Sequence, residues 1–423
     1  MKKIIQLLTL IAFCLWQSGY AYAIDLSVGQ GKVAAKPIAV VPFAGNSGKD
    51  KIDFIVSSDL KQSGVFAPIS PTTYTDRPGN GEQINYANFR KLGAAYVVFG
   101  QVVGQQTLRF TLADTFQQKV LGTFNVAMAN KTLRQSAHQI SDIILQKLTG
   151  TRGAFATRLA YVYESGQGPS RRYRIVISDS DGKNPITLLN SPAPVMTPRF
   201  SPNGQYLAYV TYEGNQSQIV IHNIKSGKRR LLSKEKGINS SPAWSPDGSK
   251  IAMVLSRDGN SEIYFKNTLN GKLVRVTNNR GIDTEPVWSP DGQFIYFTSD
   301  RSGSPQLYRI NLSSGGVTRV SSTGRYSAGA DISKDGKKIA LARNAGGQFI
   351  VGTIDLVSGK FNGVSKGFVD ETPRFSPNGK MLVFTSTQNG RGVIKIVNVD
   401  GSGTNTLSTG GQIRDPDWSN YIR

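Results

Sequence analysis

Residues 363–367 read Gly-Val-Ser-Lys-Gly, a spacing that in hydrolases holds a nucleophilic serine on a tight strand-to-helix turn. That chemistry needs an acid and then a histidine base downstream of the serine. His138 and His222 are the only histidines and both precede Ser365, so the order cannot be assembled. Residues 29–34 (Gly-Gln-Gly-Lys-Val-Ala) imitate a dinucleotide-binding turn, but Pro37 and a strand-like run follow where the phosphate-binding helix must start. Asp179, Asp181 and Gly182 open like a calcium loop, yet Leu188 stands where the closing bidentate glutamate belongs. Two histidines and one cysteine do not make a zinc centre. These residues predict a protein that is not an enzyme and uses no cofactor and no metal.

What the chain repeats is a scaffold phrase. Its clearest form is EPVWSPDGQFIYFTSD from Glu285, and related phrases start at Thr197, Ser241, Gly329 and Thr372, with a truncated copy, DPDWSNYIR, from Asp415. The marker positions Pro198, Pro242, Pro286, Ala330, Pro373 and Pro416 lie 44, 44, 44, 43 and 43 residues apart. That period with four short strands per unit predicts a β-propeller. Second, third and outer strands can each be counted six times, but first strands run one step out of phase. The series starts on a second strand at Leu159 and ends on a first strand at 417–419, so the C-terminal strand is expected to complete the first blade and close the ring.

In each Ser-Pro-Asp-Gly turn, proline presets φ near −65°, Asp or Asn caps the backbone and Gly supplies positive φ. Phe200, Trp244, Trp288, Phe375 and Trp418 recur at one strand position and are expected to pack between blades. The fourth copy has Ile332 for the aromatic and Lys334 for the proline, which predicts the least regular blade. The residues just ahead of each phrase are expected to ring the opposite mouth of the channel: Met196 and Thr197, Ser240 and Ser241, Thr284 and Glu285, Ala328 and Gly329, Glu371 and Thr372, Arg414 and Asp415. This ring carries carboxylates on an otherwise basic protein, and loops on a rigid scaffold are where recognition usually lives.

Ahead of the repeats, residues 37–43 suit a strand buried on both faces, 49–63 a helix closed by Gly64, and 95–103, 108–113 and 123–129 three more strands. Residues 131–148 form the strongest helix, with Thr132 and Gln135 as a capping box and Gly150 as its stop. The expected organisation is a leader at 1–23, an α/β domain at 24–150, a joint at 151–158 and a six-bladed propeller at 159–423.

Compartment follows from the start of the chain. Lys2 and Lys3, the apolar run 4–16 and Ala21-Tyr22-Ala23 read as a cleaved secretory signal, and no later stretch has the ~20 apolar residues that spanning a bilayer takes. Cys14, the only cysteine, would leave with it. Lys and Arg number 50 against 28 Asp and Glu, and without Lys2 and Lys3 the balance is 48 to 28, a net of +20. Such a charge admits a second reading, a basic propeller that holds an anionic envelope polymer or lipopolysaccharide.

The joint LTGTRGAFATRLAYV at 148–162, DTEPVWSPDG at 283–292 and DETPRFSPNG at 370–379 resemble the TolB family, periplasmic components of the bacterial Tol-Pal envelope system, over essentially the whole mature chain. The resemblance implies a non-catalytic adaptor in the periplasm that supports outer-membrane integrity and cell division. Its partners would be the lipoprotein Pal at the propeller mouth and TolA at the N-terminal segment, possible further envelope proteins besides, and no nucleic acid. Carried over by position, the Pal-facing residues are Ile238, Ser241, Thr284 and Glu285, joined on the same ring by Glu371, Thr372 and Asp415. The TolA-facing segment contains Ile24, Asp25, Leu26 and Val28.

Overall fold

In the computed structural model, residues 34–46, 49–73, 76–78, 84–104, 106–128, 132–321, 324 and 326–421 are described. The leader, Cys14 and the segment with Ile24, Asp25, Leu26 and Val28 lie outside them.

The α/β part is built on a five-stranded sheet. Its order is Phe66–Pro68, Lys36–Val40, Tyr96–Val103, Thr107–Asp114, Lys119–Ala127, with the first three strands parallel and the rest antiparallel. Lys36–Val40 is apolar throughout its second half because both faces are covered. Ile38 and Val40 pack under helices α1 (Ile52–Gln62) and α3 (Leu133–Thr149), whereas Ala39 packs with Phe89 of α2 (Tyr86–Lys91) on the other side. Strand Phe66–Pro68 and helix α2 were not expected from the sequence; three and six residues are too few to display a period. Helix α3 begins as predicted, with the Thr132 hydroxyl accepting the Gln135 N–H at 3.2 Å and the Gln135 side chain accepting the Thr132 N–H at 3.3 Å. It stops at Gly150, whose φ of 77° suits a residue without a Cβ.

Six four-stranded antiparallel sheets follow. Their innermost strands are Gln412–Trp418, Val195–Phe200, Asn239–Trp244, Asp283–Trp288, Ser327–Ile332 and Asp370–Phe375, taken here as blades 1 to 6. Blade 1 is completed across the chain: Gln412–Trp418 pairs with Arg158–Ser165, as the strand phase required. The fourth copy departs from its expectation of irregularity. Blade 5 has all four strands and the same break in register as its neighbours, because that break is set by inner-strand geometry rather than by the missing proline or aromatic.

The repeated aromatics staple neighbouring blades with polar as well as apolar contacts. The indoles of Trp244 and Trp288 donate at 3.1 Å to the carbonyls of Arg199 and Ala243, one blade back. Phenylalanine has no such donor, and in blades 2 and 6 the preceding blade supplies an acceptor instead. Asp417 takes the Phe200 N–H at 2.7 Å and Asp331 takes the Phe375 N–H at 2.8 Å. A buried backbone donor left unpaired would cost about 1–3 kcal/mol, so these aspartates stabilise the ring.

The turn side of blades 1 and 6 meets the α/β part. Asn398 donates to the Gln62 carbonyl at 3.0 Å, and Gln62 donates to the Gly403 carbonyl. Arg134 of α3 reaches Asp179 at 3.1 Å and also Asp181, and the joint is held by the Asp142 carboxylate, which accepts the Phe155 N–H at 2.8 Å and the Ala156 N–H at 3.3 Å. The stretch that opens like a calcium loop is thus an ion-pair contact. His138, Asp179 and Asp181 present ligand atoms within 4.8 Å of one another, but the Arg134 guanidinium already pairs with both carboxylates.

Candidate functional site

Each inner strand contains one residue in the left-handed region, and it is always the residue ahead of the marker position, a proline in five blades and Ala330 in the sixth. These are Thr197 (φ 48°), Ser241 (50°), Glu285 (53°), Gly329 (66°), Thr372 (52°) and Asp415 (53°). All six sit in a β-bulge, where the ladder between inner and second strand slips. The marker proline follows from this: a bulge removes the need for a ladder N–H, which is where a sheet tolerates proline. The residues were expected on loops at the mouth. They lie instead within the strands that wall the channel, near the end remote from the Ser-Pro-Asp-Gly turns.

The carboxylates of this wall bond from one blade to the next. Glu285 accepts the Gly329 N–H of the next blade at 2.7 Å and the Thr298 hydroxyl at 2.8 Å. Asp415 likewise accepts the Thr197 N–H of its next blade at 3.1 Å, and a proton of Arg414 at 2.8 Å. Thr372 meets Thr385 at 3.1 Å, and Thr385 accepts the Asp415 N–H at 3.1 Å. Glu371 reaches the surface, but its carboxyl is partly desolvated, and that desolvation together with the charges of Glu285 and Asp415 pushes it up. The three carboxylates therefore share one field at this mouth. Ser241 and Thr284 are half-buried in the same wall.

Around the acidic wall runs an apolar rim. Ile238 is 48% exposed, Ile282 53% and Phe368 67%, all in connections that lead into inner strands. Ile282 stands at the same distance ahead of its phrase as Ile238 does, so the repeat spacing was the signal that locates it; Phe368 has no such counterpart. The rim is fixed from below: Asn239 accepts from the Ser233 hydroxyl at 2.7 Å and the Glu235 N–H at 2.9 Å, and Asp283 takes Arg301 at 2.7 Å. Ser365, the hydrolase look-alike, has a structural bond instead, accepting the Val351 N–H at 2.8 Å.

Sequence families bring the same two parts together. Residues 24–121 match the family model of the TolB amino-terminal domain and residues 145–422 that of the TolB beta propeller domain. The chain belongs to the TolB family. A Tol-Pal system protein TolB from Thioalkalivibrio sulfidiphilus is 49% identical, with 100% of this chain and 99% of that protein covered. Another, from Actinobacillus pleuropneumoniae, is 47% identical over 94% and 93%. The crystal structure of TolB from Acinetobacter baumannii superposes with a TM-score of 0.84 at 36% identity, covering 91% of this chain and 97% of that one. As a TolB-family chain it is a Tol-Pal component, and among its described residues no helix is long and apolar enough to cross a membrane.

Proposed function

We propose that this chain is a non-catalytic periplasmic adaptor whose acidic, apolar-rimmed channel mouth docks the lipoprotein Pal. The observation that carries the reading is the left-handed bulge ring. Six inner strands hold Glu285, Glu371 and Asp415 in one field beneath exposed Ile238, Ile282 and Phe368. A rigid apolar rim around preorganised charge is the anatomy of a protein interface, where a few buried anchors supply most of the affinity and charge supplies specificity. Ser241, Thr284 and Thr372 complete the wall. The partner's complementary surface would be basic at its centre.

The second contact in this proposal is between TolA and the segment with Ile24, Asp25, Leu26 and Val28, freed as the new N-terminus when the leader is cleaved after Ala23. Together the two contacts link envelope layers and support outer-membrane integrity and division. A photocrosslinking residue at position 285 in living cells tests the mouth: a crosslink to Pal supports it, and crosslinks confined to other proteins reject it. Retention on anionic polymer or lipopolysaccharide that falls steeply with salt, as released counterions demand, would instead favour the reading built on the +20 charge.

A further inference from the structure

The residue between marker and aromatic is not held to one type, and all six of these side chains line one cavity of about 410 Å³ at the turn side of the channel. They are Arg199, Ala243, Val287, Asp331, Arg374 and Asp417. Blades 3 and 4 give an apolar half, Ala243 and Val287 with Trp244 and Trp288, and the remaining four blades give a charged half. A second cavity of about 910 Å³ shares Phe200, Pro202, Pro246, Lys334, Ser419 and Asn420 with the first, so Lys334 stands at the passage between them.

The charges in the inner cavity are unequally satisfied. Asp417 and Asp331 are committed to the backbone N–H groups of Phe200 and Phe375. Arg374 donates to the carbonyls of Ala330 at 3.1 Å and Pro373 at 2.8 Å and lies 3.8 Å from Asp417. Arg199 donates one bond, to the Pro198 carbonyl at 2.8 Å, and among the described residues has no ion pair within 4.0 Å. Burial, and then the neighbouring Arg374 charge, push its guanidinium down to about 10. Lys334, whose stem lies at the surface, has neither hydrogen bond nor ion pair among the described residues, and partial desolvation beside the cavity is what lowers it. The turn does not ask for a lysine there, since Pro202, Pro246, Pro290 and Pro377 fill the same place in other copies.

Three cations, Arg199, Arg374 and Lys334, thus face two carboxylates across a cavity with one apolar side. One negative charge balances that set. A dianion would leave a charge uncompensated beside Asp331 and Asp417, which is costly away from bulk water. We propose that the turn-side end of the channel binds a small monocarboxylate carried on an apolar body, its carboxylate between Arg199 and Lys334 and its body against Trp244 and Trp288. A guanidinium fork matches a planar carboxylate, and the indole faces supply the apolar contact. The site is at the opposite end of the channel from the acidic mouth and does not depend on it.

Calorimetric titration of the mature protein with benzoate tests the proposal, with benzamide as its neutral isostere and inorganic phosphate as a dianion without an apolar body. Benzoate is expected to saturate one site, at least tenfold more weakly in Arg199→Gln and Lys334→Gln, while benzamide and phosphate do not compete. Absence of benzoate binding, equal binding of benzamide or phosphate, or affinity unchanged by both substitutions overturns it. Lys334 is exposed in a turn, so Lys334→Gln keeps the test decisive if Arg199→Gln fails to fold.

Discussion

The Glu285 carboxylate accepts the backbone N–H of Gly329 at 2.7 Å, which joins the bulge of one blade to the bulge of the next. The same oxygen takes the Thr298 hydroxyl, so the side chain proposed to meet a partner also holds the wall. Asp415 repeats the device toward Thr197. Charge and scaffold are coupled at this mouth, and a substitution that tests one must spare the other.

Glu285→Gln keeps a carbonyl acceptor for Gly329 and removes the charge. Its thermal stability should match the parent within about 1 kcal/mol, while affinity for Pal falls about tenfold in a calorimetric titration. Glu285→Lys should lose both, with a further cost of about 1–3 kcal/mol for the abandoned N–H. Wild-type affinity in Glu285→Gln would remove the mouth from consideration.

Ile282 is 53% exposed and bonded only through its backbone, so Ile282→Asp should leave the unfolding midpoint unchanged. If the rim anchors a partner, the same change should weaken Pal binding by about 1–2 kcal/mol, read in a pull-down series across concentration. Val357, 92% exposed, gives the control: it lies in the turn after strand Gln348–Asp355, on the opposite rim, and Val357→Asp should change nothing.

Trp418 in the closing strand is buried and its indole donates to the Thr157 hydroxyl at 2.8 Å. Trp418→Ala should cost about 3–5 kcal/mol in urea unfolding, the usual loss for a buried aromatic. Trp418→Phe should cost less, since the Thr157 hydroxyl still donates to the Ala154 carbonyl at 2.5 Å.

His138 is buried against Asp59 at 2.8 Å, with Asp181 4.0 Å from its other nitrogen. Burial by itself lowers the imidazole, but the carboxylates of Asp59, Asp181 and Asp179 outweigh it and raise the group to about 9. A folded-state value above the unfolded ~6.5 means that the stabilisation is complete below that pH and disappears as pH rises through 9. Melting temperature should therefore fall between pH 6.5 and 9, by the equivalent of at most about 3 kcal/mol, and His138→Gln should flatten that part of the profile.

The propeller was legible because a 43- or 44-residue period is a property of the sequence itself. Each copy is one hairpin-built unit, and the phase of its strands alone required Gln412–Trp418 to pair with Arg158–Ser165. The caps of α3 were legible for the same local reason: Thr132, Gln135 and Gly150 act within a turn or two of each other. The bulged channel wall was legible only as a list of positions. Thr, Ser, Glu, Gly, Thr and Asp share no side-chain property that announces a positive φ, and the bulge arises from how an inner strand pairs with its neighbour. Nor does any local signal connect Glu285 to Gly329 or His138 to Asp59. The first pair meets where neighbouring blades pack and the second where two helices of the α/β part pack, and desolvation in the folded structure is what gives the buried charges consequence.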